Sequence, residues 1–187
     1  MKVNLYDFDG TIYDGDSSID FYLFCLKKKL IIFKFLPKFI VYVFLYKLGM
    51  KTKEQMKECF FGFLTCFDNV DSLVDLFWDK NIKKIKKFYT ELIHEHDIII
   101  SASPYFLLLP VCEKLKVKAL IASEVDKNTG RYSGNNCRGE EKVYLLKKMY
   151  NDVIVESAYS DSKSDMPMLN LAKNKFIVKK DKIIKID

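Results

Sequence analysis

Arginine is almost missing from this chain. The 187 residues carry a formal net charge of +6, yet only Arg131 and Arg138 are arginines and the remaining positive charge is lysine. Lysine offers a point charge, whereas arginine offers the planar fork that grips phosphates and bases through two parallel hydrogen bonds. Clustered basic residues joined to a nucleic-acid-binding fold signature are missing too, which argues against a nucleic-acid binder. The five cysteines (Cys25, Cys59, Cys66, Cys112, Cys137) are odd in number, scattered and without a C-x-x-C pair. That spacing excludes a disulfide framework and a thiolate zinc site, and it suits a reducing cytoplasm. The first residues lack an apolar run long enough for a signal peptide, because Asp7 and Asp9 interrupt it; a cytoplasmic location is expected.

What is present suits a folded domain. Hydrophobic residues make up 49% of the chain, enough for a sizeable core, and the length fits one domain or a core with a modest insertion. Short apolar strands are expected at Lys2–Tyr6, Asp97–Ile100, Ala119–Ala122, Val153–Tyr159 and Lys175–Val178, with an edge strand in the final residues. Helical patterns at Tyr105–Leu115, Glu140–Tyr150 and Met166–Ala172 separate them, and Asn128-Thr129-Gly130 reads as a turn. Strands alternating with helices predict an α/β fold with a mainly parallel sheet.

From Asp16 to about Asp79 no strand is expected. Thr52-x-x-Gln55 is a capping-box signature for a helix to about Leu64, and Asp71-Ser72 opens another toward Lys80. Between them, Leu30–Leu48 ("LIIFKFLPKFIVYVFLYKL") is nearly as long as a membrane span. Lys34, Lys38 and Lys47 interrupt it and Pro37 is expected to break its helix near the middle. Lys27, Lys34 and Lys38 fall on roughly one helical face. A buried helical hairpin is the first reading and membrane-surface contact the second; a span is disfavoured because interior lysine is costly there.

Four polar islands follow the apolar strands, where α/β proteins place ligands. They are Asp7-Phe8-Asp9-Gly10-Thr11, Ser101-Ala102-Ser103, Lys142 in "RGEEK", and Asp161-Ser162-Lys163-Ser164-Asp165. Singly, each has a bland explanation: aspartates and serines cap helices and turns, and one lysine is usually solvated. Together they would set several carboxylates, a lysine and a hydroxyl at one end of a sheet. A hard, oxygen-seeking cation such as Mg²⁺ would relieve that repulsion.

In content and order, "DFDGT", "SAS", the lysine of "RGEEK" and "YSDSKSD" resemble motifs one to four of the haloacid dehalogenase (HAD) superfamily. The helical stretch after motif one resembles its C1 cap, as in the phosphoserine-phosphatase-like branch. The resemblance implies a Rossmann-like core at 1–15 and 82–187, with a cap inserted at 16–81. It further implies a Mg²⁺-dependent phosphatase. Asp7 would be the nucleophile that forms an aspartyl phosphate, and Asp9 the general acid and base. Asp7, the backbone carbonyl of Asp9 and Asp161 would hold the metal. Ser101, Ala102 and Lys142 would bind phosphate, with Thr11 and Asp165 in support and Asp16 a candidate substrate or cap contact.

Against phosphoserine as substrate, the cap has no arginine for a serine carboxylate, and Asp16 stands where the family has a glutamate. Motif two reads Ser101-Ala102-Ser103-Pro104 in place of Ser-Gly-Gly, and motif four lacks the family's Gly-Asp-Gly form. The Gly-x-Glu-Lys third motif, "YSDSK-x-D" and apolar first cap segment are similar to those of phosphatidylglycerophosphatase C. That implies a small or lipid-linked phosphate ester as substrate, with peripheral membrane contact through the cap. Two other readings stand beside it: a phosphoserine phosphatase, and a non-catalytic phosphate-binding or membrane-surface protein on the same fold. His94 and His96 read as surface residues, and Trp78 with its aromatic neighbours as core packing.

Overall fold

The computed structural model describes residues 1–91 and 95–187. Among these, six strands form one sheet in the order β3-β2-β1-β4-β5-β6. They are β1 (Lys2–Tyr6), β2 (Asp97–Pro104), β3 (Ala119–Ser123), β4 (Ile154–Ser160), β5 (Ala172–Lys179) and β6 (Lys182–Ile186). Neighbours pair in parallel except β5 and β6, whose tight connection makes an antiparallel edge. The α/β class and mainly parallel sheet expected from the sequence are therefore present.

Strand alternation divides the core. Val3 and Leu5 of β1 point to one face with Ile98, Ile100, Val155 and Leu146, while Tyr6 and Ile99 point to the other. Helices α6 (Tyr105–Leu115), α7 (Glu140–Met149) and α8 (Met166–Leu169) complete the layers. The expected helix Met166–Ala172 is shorter than its pattern: Ala172 already pairs with Val155 in the β4–β5 ladder, and that pairing outweighs one more helical turn.

Between β1 and β2 lie α1 (Ser17–Lys28), α2 (Leu36–Lys47), α3 (Lys53–Phe61), α4 (Val70–Asn81) and the short α5 (Lys87–Thr90). The Thr52–Gln55 capping box is formed in both directions and opens α3. Asn69 caps α4, two residues before the expected Asp71 start. The inner faces of α1, α3 and α4 bury Phe21, Phe61, Phe77 and Trp78 in the same cluster as Tyr6 and Ile99. Trp78 also donates its indole N–H to the Leu107 carbonyl at 2.6 Å, so it is core packing, as read from the sequence.

Leu30–Leu48 departs from the buried hairpin expected of it. A 3-10 segment, Leu30–Phe35, precedes α2, and not one residue of α2 is fully buried. Pro37 lies in the first turn of α2, where its missing N–H costs nothing, and so starts the helix that it was expected to break. Lys27, Lys34 and Lys38 sit on three successive segments and so share no single helical face. His94 lies outside the described residues; His96 is exposed, and its carbonyl accepts the Asn4 N–H.

The chain leaves and re-enters the sheet layer through two adjoining strips. Tyr13 bridges Ile85, the Asp14 N–H meets the Lys84 carbonyl, and the Lys86 N–H meets the Ile12 carbonyl.

Candidate active site

Strand order reverses around β1, and the carboxyl ends of β1, β2 and β4 face one crevice, where open α/β sheets bind ligands. Asp7 follows β1 directly and its N–H bonds the Tyr159 carbonyl of β4 at 2.9 Å. Asp161 follows β4, and its N–H donates to Thr11 Oγ1 at 2.9 Å, so the first and fourth polar islands are stitched together. Gly10 explains how they fit. Its φ is +73°, and a Cβ there would lie 2.2 Å from Asp161 Oδ2, so only glycine admits that carboxylate against the turn.

Lys142, in the first turn of α7, is buried, and its Nζ donates to Asp7 Oδ1 and Asp165 Oδ2, each at 2.7 Å. Ser160 Oγ donates to the same Asp165 oxygen at 2.8 Å. Burial alone would lower the lysine pKa, but the carboxylates of Asp7 and Asp165 outweigh it and hold the ammonium above its ordinary value. Burial holds Asp7 above the usual carboxylate range, with Lys142 pulling the other way. Asp165 thus aims Lys142 at Asp7.

Asp9 has a different set of partners. Ser103 Oγ donates to Oδ2 at 2.5 Å and the Ser17 N–H to Oδ1 at 2.6 Å. Burial, and then the charge of Asp16, push Asp9 up to about 6 against those two hydrogen bonds. Two carboxylates two residues apart therefore sit in unlike surroundings, one paired with a buried ammonium and one held by a hydroxyl and an amide. Such separation suits one for nucleophilic attack and the other for proton transfer near neutral pH.

The residues fit a hard cation. Asp161 is brought against the motif-one turn by Gly10, and burial followed by Asp165 raises its pKa, as expected where carboxylates crowd without a counter-ion. Among the described residues no three acidic, histidine or cysteine side chains form a ready-made cage. The donors on hand are two carboxylates and a backbone carbonyl, the sparse set that Mg²⁺ accepts while keeping several waters.

Asp7, Asp9, Ser101, Ala102, Lys142 and Asp165 all line one cavity of about 390 Å³. Thr11 and Asp161, linked to each other, are not among its lining residues. Asp16 also faces the cavity, and its carboxylate caps α1 by accepting the Ile19 N–H. Ser101 Oγ accepts the Ser103 N–H at 3.1 Å.

Three residues escaped the sequence reading. Ser103 was visible within "SAS" but had no role until Asp9 was placed beside it. Lys86 donates to the Gly10 and Lys180 carbonyls and clamps the motif-one turn. Lys57 of α3 crosses from the helical segment to the sheet, donating to the Ala102 carbonyl at 2.8 Å and to Asn136 Oδ1 at 2.7 Å. Burial lowers its pKa to about 8. No sequence signal distinguishes these two lysines from the many that are solvated.

The haloacid dehalogenase-like hydrolase profile matches residues 5–170. The chain belongs to that family. Protein CicA of Caulobacter vibrioides is 34% identical over 84 residues, which is 42% of this chain and 38% of CicA, so the match spans well under half of that relative. Among solved structures, a Bordetella pertussis Tohama I protein of unknown function superposes with a TM-score of 0.74 at 21% identity, covering 93% of this chain and 88% of that one. A substrate-bound phosphoserine phosphatase is similar with a TM-score of 0.53 at 16% identity, covering 93% and 84%. At such identities the likeness is one of fold.

Proposed function

We propose that this hydrolase is a Mg²⁺-dependent phosphomonoesterase working through an aspartyl phosphate on Asp7. The observation that carries the reading is the Asp7–Lys142–Asp165 bridge beside an Asp9 held by Ser103 and Ser17. Asp7 attacks phosphorus in line, the P–O bond to the alcohol breaks, and Asp9 protonates the departing oxygen. Asp9 then takes a proton from water as that water attacks phosphorus, which releases phosphate and restores Asp7. Lys142 neutralises charge on Asp7 and the phosphoryl oxygens, and Ser101 with Ala102 holds those oxygens. Asp7, Asp161 and the Asp9 carbonyl would hold Mg²⁺, which supplies further charge neutralisation when bound.

We read residues 16–81 as a C1-type cap over this site and 1–15 with 82–187 as the core. Ile19, Phe39, Met56 and Phe60 of the cap give the cavity an apolar wall. That wall, and a cap without arginine, favour a substrate with an apolar body, including a lipid-linked phosphate, over phosphoserine. The unpaired cysteines agree with a cytoplasmic setting, and among the described residues no helix is long and apolar enough to cross a membrane.

The test is phosphate release from an aryl phosphate, phosphoserine and lipid phosphates, with Mg²⁺ and with a chelator. Metal-dependent release that is slower for phosphoserine than for the apolar esters is expected. No release from any ester in Mg²⁺ would overturn the reading.

A further inference from the structure

Helix α2, the 3-10 segment before it and the turn after it leave large apolar side chains in water. Leu30 is 77% exposed, Met50 67%, Phe44 62% and Ile40 59%, and Ile31, Phe33, Val41 and Leu48 are exposed with them. At about 100° per residue, Ile40, Val41, Phe44 and Leu48 fall in one arc of α2, with Lys38 on one side of it and Lys47 on the other. A contiguous apolar surface of this kind on a folded protein marks a place where something docks.

Charge identifies the occupant. From Phe21 to Lys53 the chain has no acidic residue and eight lysines: Lys27, Lys28, Lys29, Lys34, Lys38, Lys47, Lys51 and Lys53. A second copy of the chain on this face would set those lysines against their own counterparts. A bilayer rich in anionic headgroups matches both properties at once: the apolar arc enters the acyl boundary while lysine stems run outward and their ammonium groups meet the headgroup charge. Since α2 has only twelve residues, the helix lies in the interface plane and does not cross it.

We propose that the 3-10 segment and α2 form a docking surface for anionic lipid bilayers. Phe39, from the opposite side of α2, lines the active-site cavity, so a docked molecule holds its cavity beside the headgroup layer. This gives an amphiphilic phosphomonoester direct access; that corollary rests on the phosphatase reading, whereas the docking itself does not.

The full chain is sedimented with phosphatidylglycerol-containing vesicles and with pure phosphatidylcholine vesicles, at low and high salt. The wild type should associate with the first and not the second, with binding weakened by salt. The double variant Ile40→Asp/Phe44→Asp should lose at least about tenfold in association. Circular dichroism and hydrolysis of a soluble aryl phosphate, read in parallel, should match wild type. The proposal is overturned if wild type stays in solution, binds both vesicle types alike, or binds as well when Ile40 and Phe44 are aspartates. It is also overturned if the protein self-associates through this face, with that association lost in the double variant. Absent aryl-phosphate hydrolysis with intact vesicle binding would sink the catalytic reading alone.

Discussion

At the ends of β1 and β4, charged side chains are buried; along α2, apolar side chains are exposed. Asp7, Lys142 and Asp165 form an ion triad inside the protein, while Phe44 and Ile40 stand in solvent. Each arrangement runs against the ordinary partition of groups between water and core. The triad survives because every charge has a partner at 2.7 Å and the Ser160 hydroxyl adds a further bond to Asp165. Among the described residues the α2 face has no such partner. Unfavourable burial that is internally compensated points to chemistry at the spot, and apolar exposure that is not compensated points outward to a second body.

Removing the centre of the triad should have the largest effect. Lys142→Met leaves Asp7 and Asp165 facing each other in the interior, and we expect a loss of about 3–5 kcal/mol in denaturant stability. Phosphate release should fall by roughly a thousandfold, as loss of a preorganised charge does. Wild-type stability in this variant would show that the triad's compensation is not what holds the strand ends together.

The contact between α3 and the sheet comes next. Lys57 is lowered to about 8 from an ordinary lysine value by burial. Between that pH and the unfolded lysine's pKa of about 10.4, the unfolded chain binds more protons than the folded one, so this residue makes stability rise with pH. Relative to Lys57→Met, the wild type should therefore gain stability on going from pH 7.5 to about 9.5, measured by urea midpoints. A difference between the two proteins that does not move with pH would break that assignment.

The smallest effect belongs to the outer face. Phe44→Asp should change unfolding free energy by no more than about 0.5 kcal/mol, since Phe44 packs on little. A loss of several kcal/mol would mean that the face is covered in the folded protein and would erase the contrast.

Much of the core was legible. Short apolar runs announced five strands, and Thr52-x-x-Gln55 announced α3, because both signals are local. The order of the polar islands located Asp7, Ser101, Lys142, Asp161 and Asp165 before any contact was known. What stayed hidden depends on distant segments meeting: Ser103 against Asp9, Lys86 against Gly10, and Lys57 against Asn136 are each set by tertiary packing. The fate of Leu30–Leu48 was hidden for a related reason. An apolar run specifies that it will be covered, not by what, and here nothing among the described residues covers the outer side of α2.

The most direct test of the account is the rate of Mg²⁺-dependent aryl phosphate hydrolysis by Asp7→Asn beside wild type, both shown to be folded by circular dichroism. The account predicts a fall of roughly ten-thousandfold or more, because the amide cannot form the phosphoryl intermediate. A folded Asp7→Asn protein that hydrolyses the ester at the wild-type rate would contradict it.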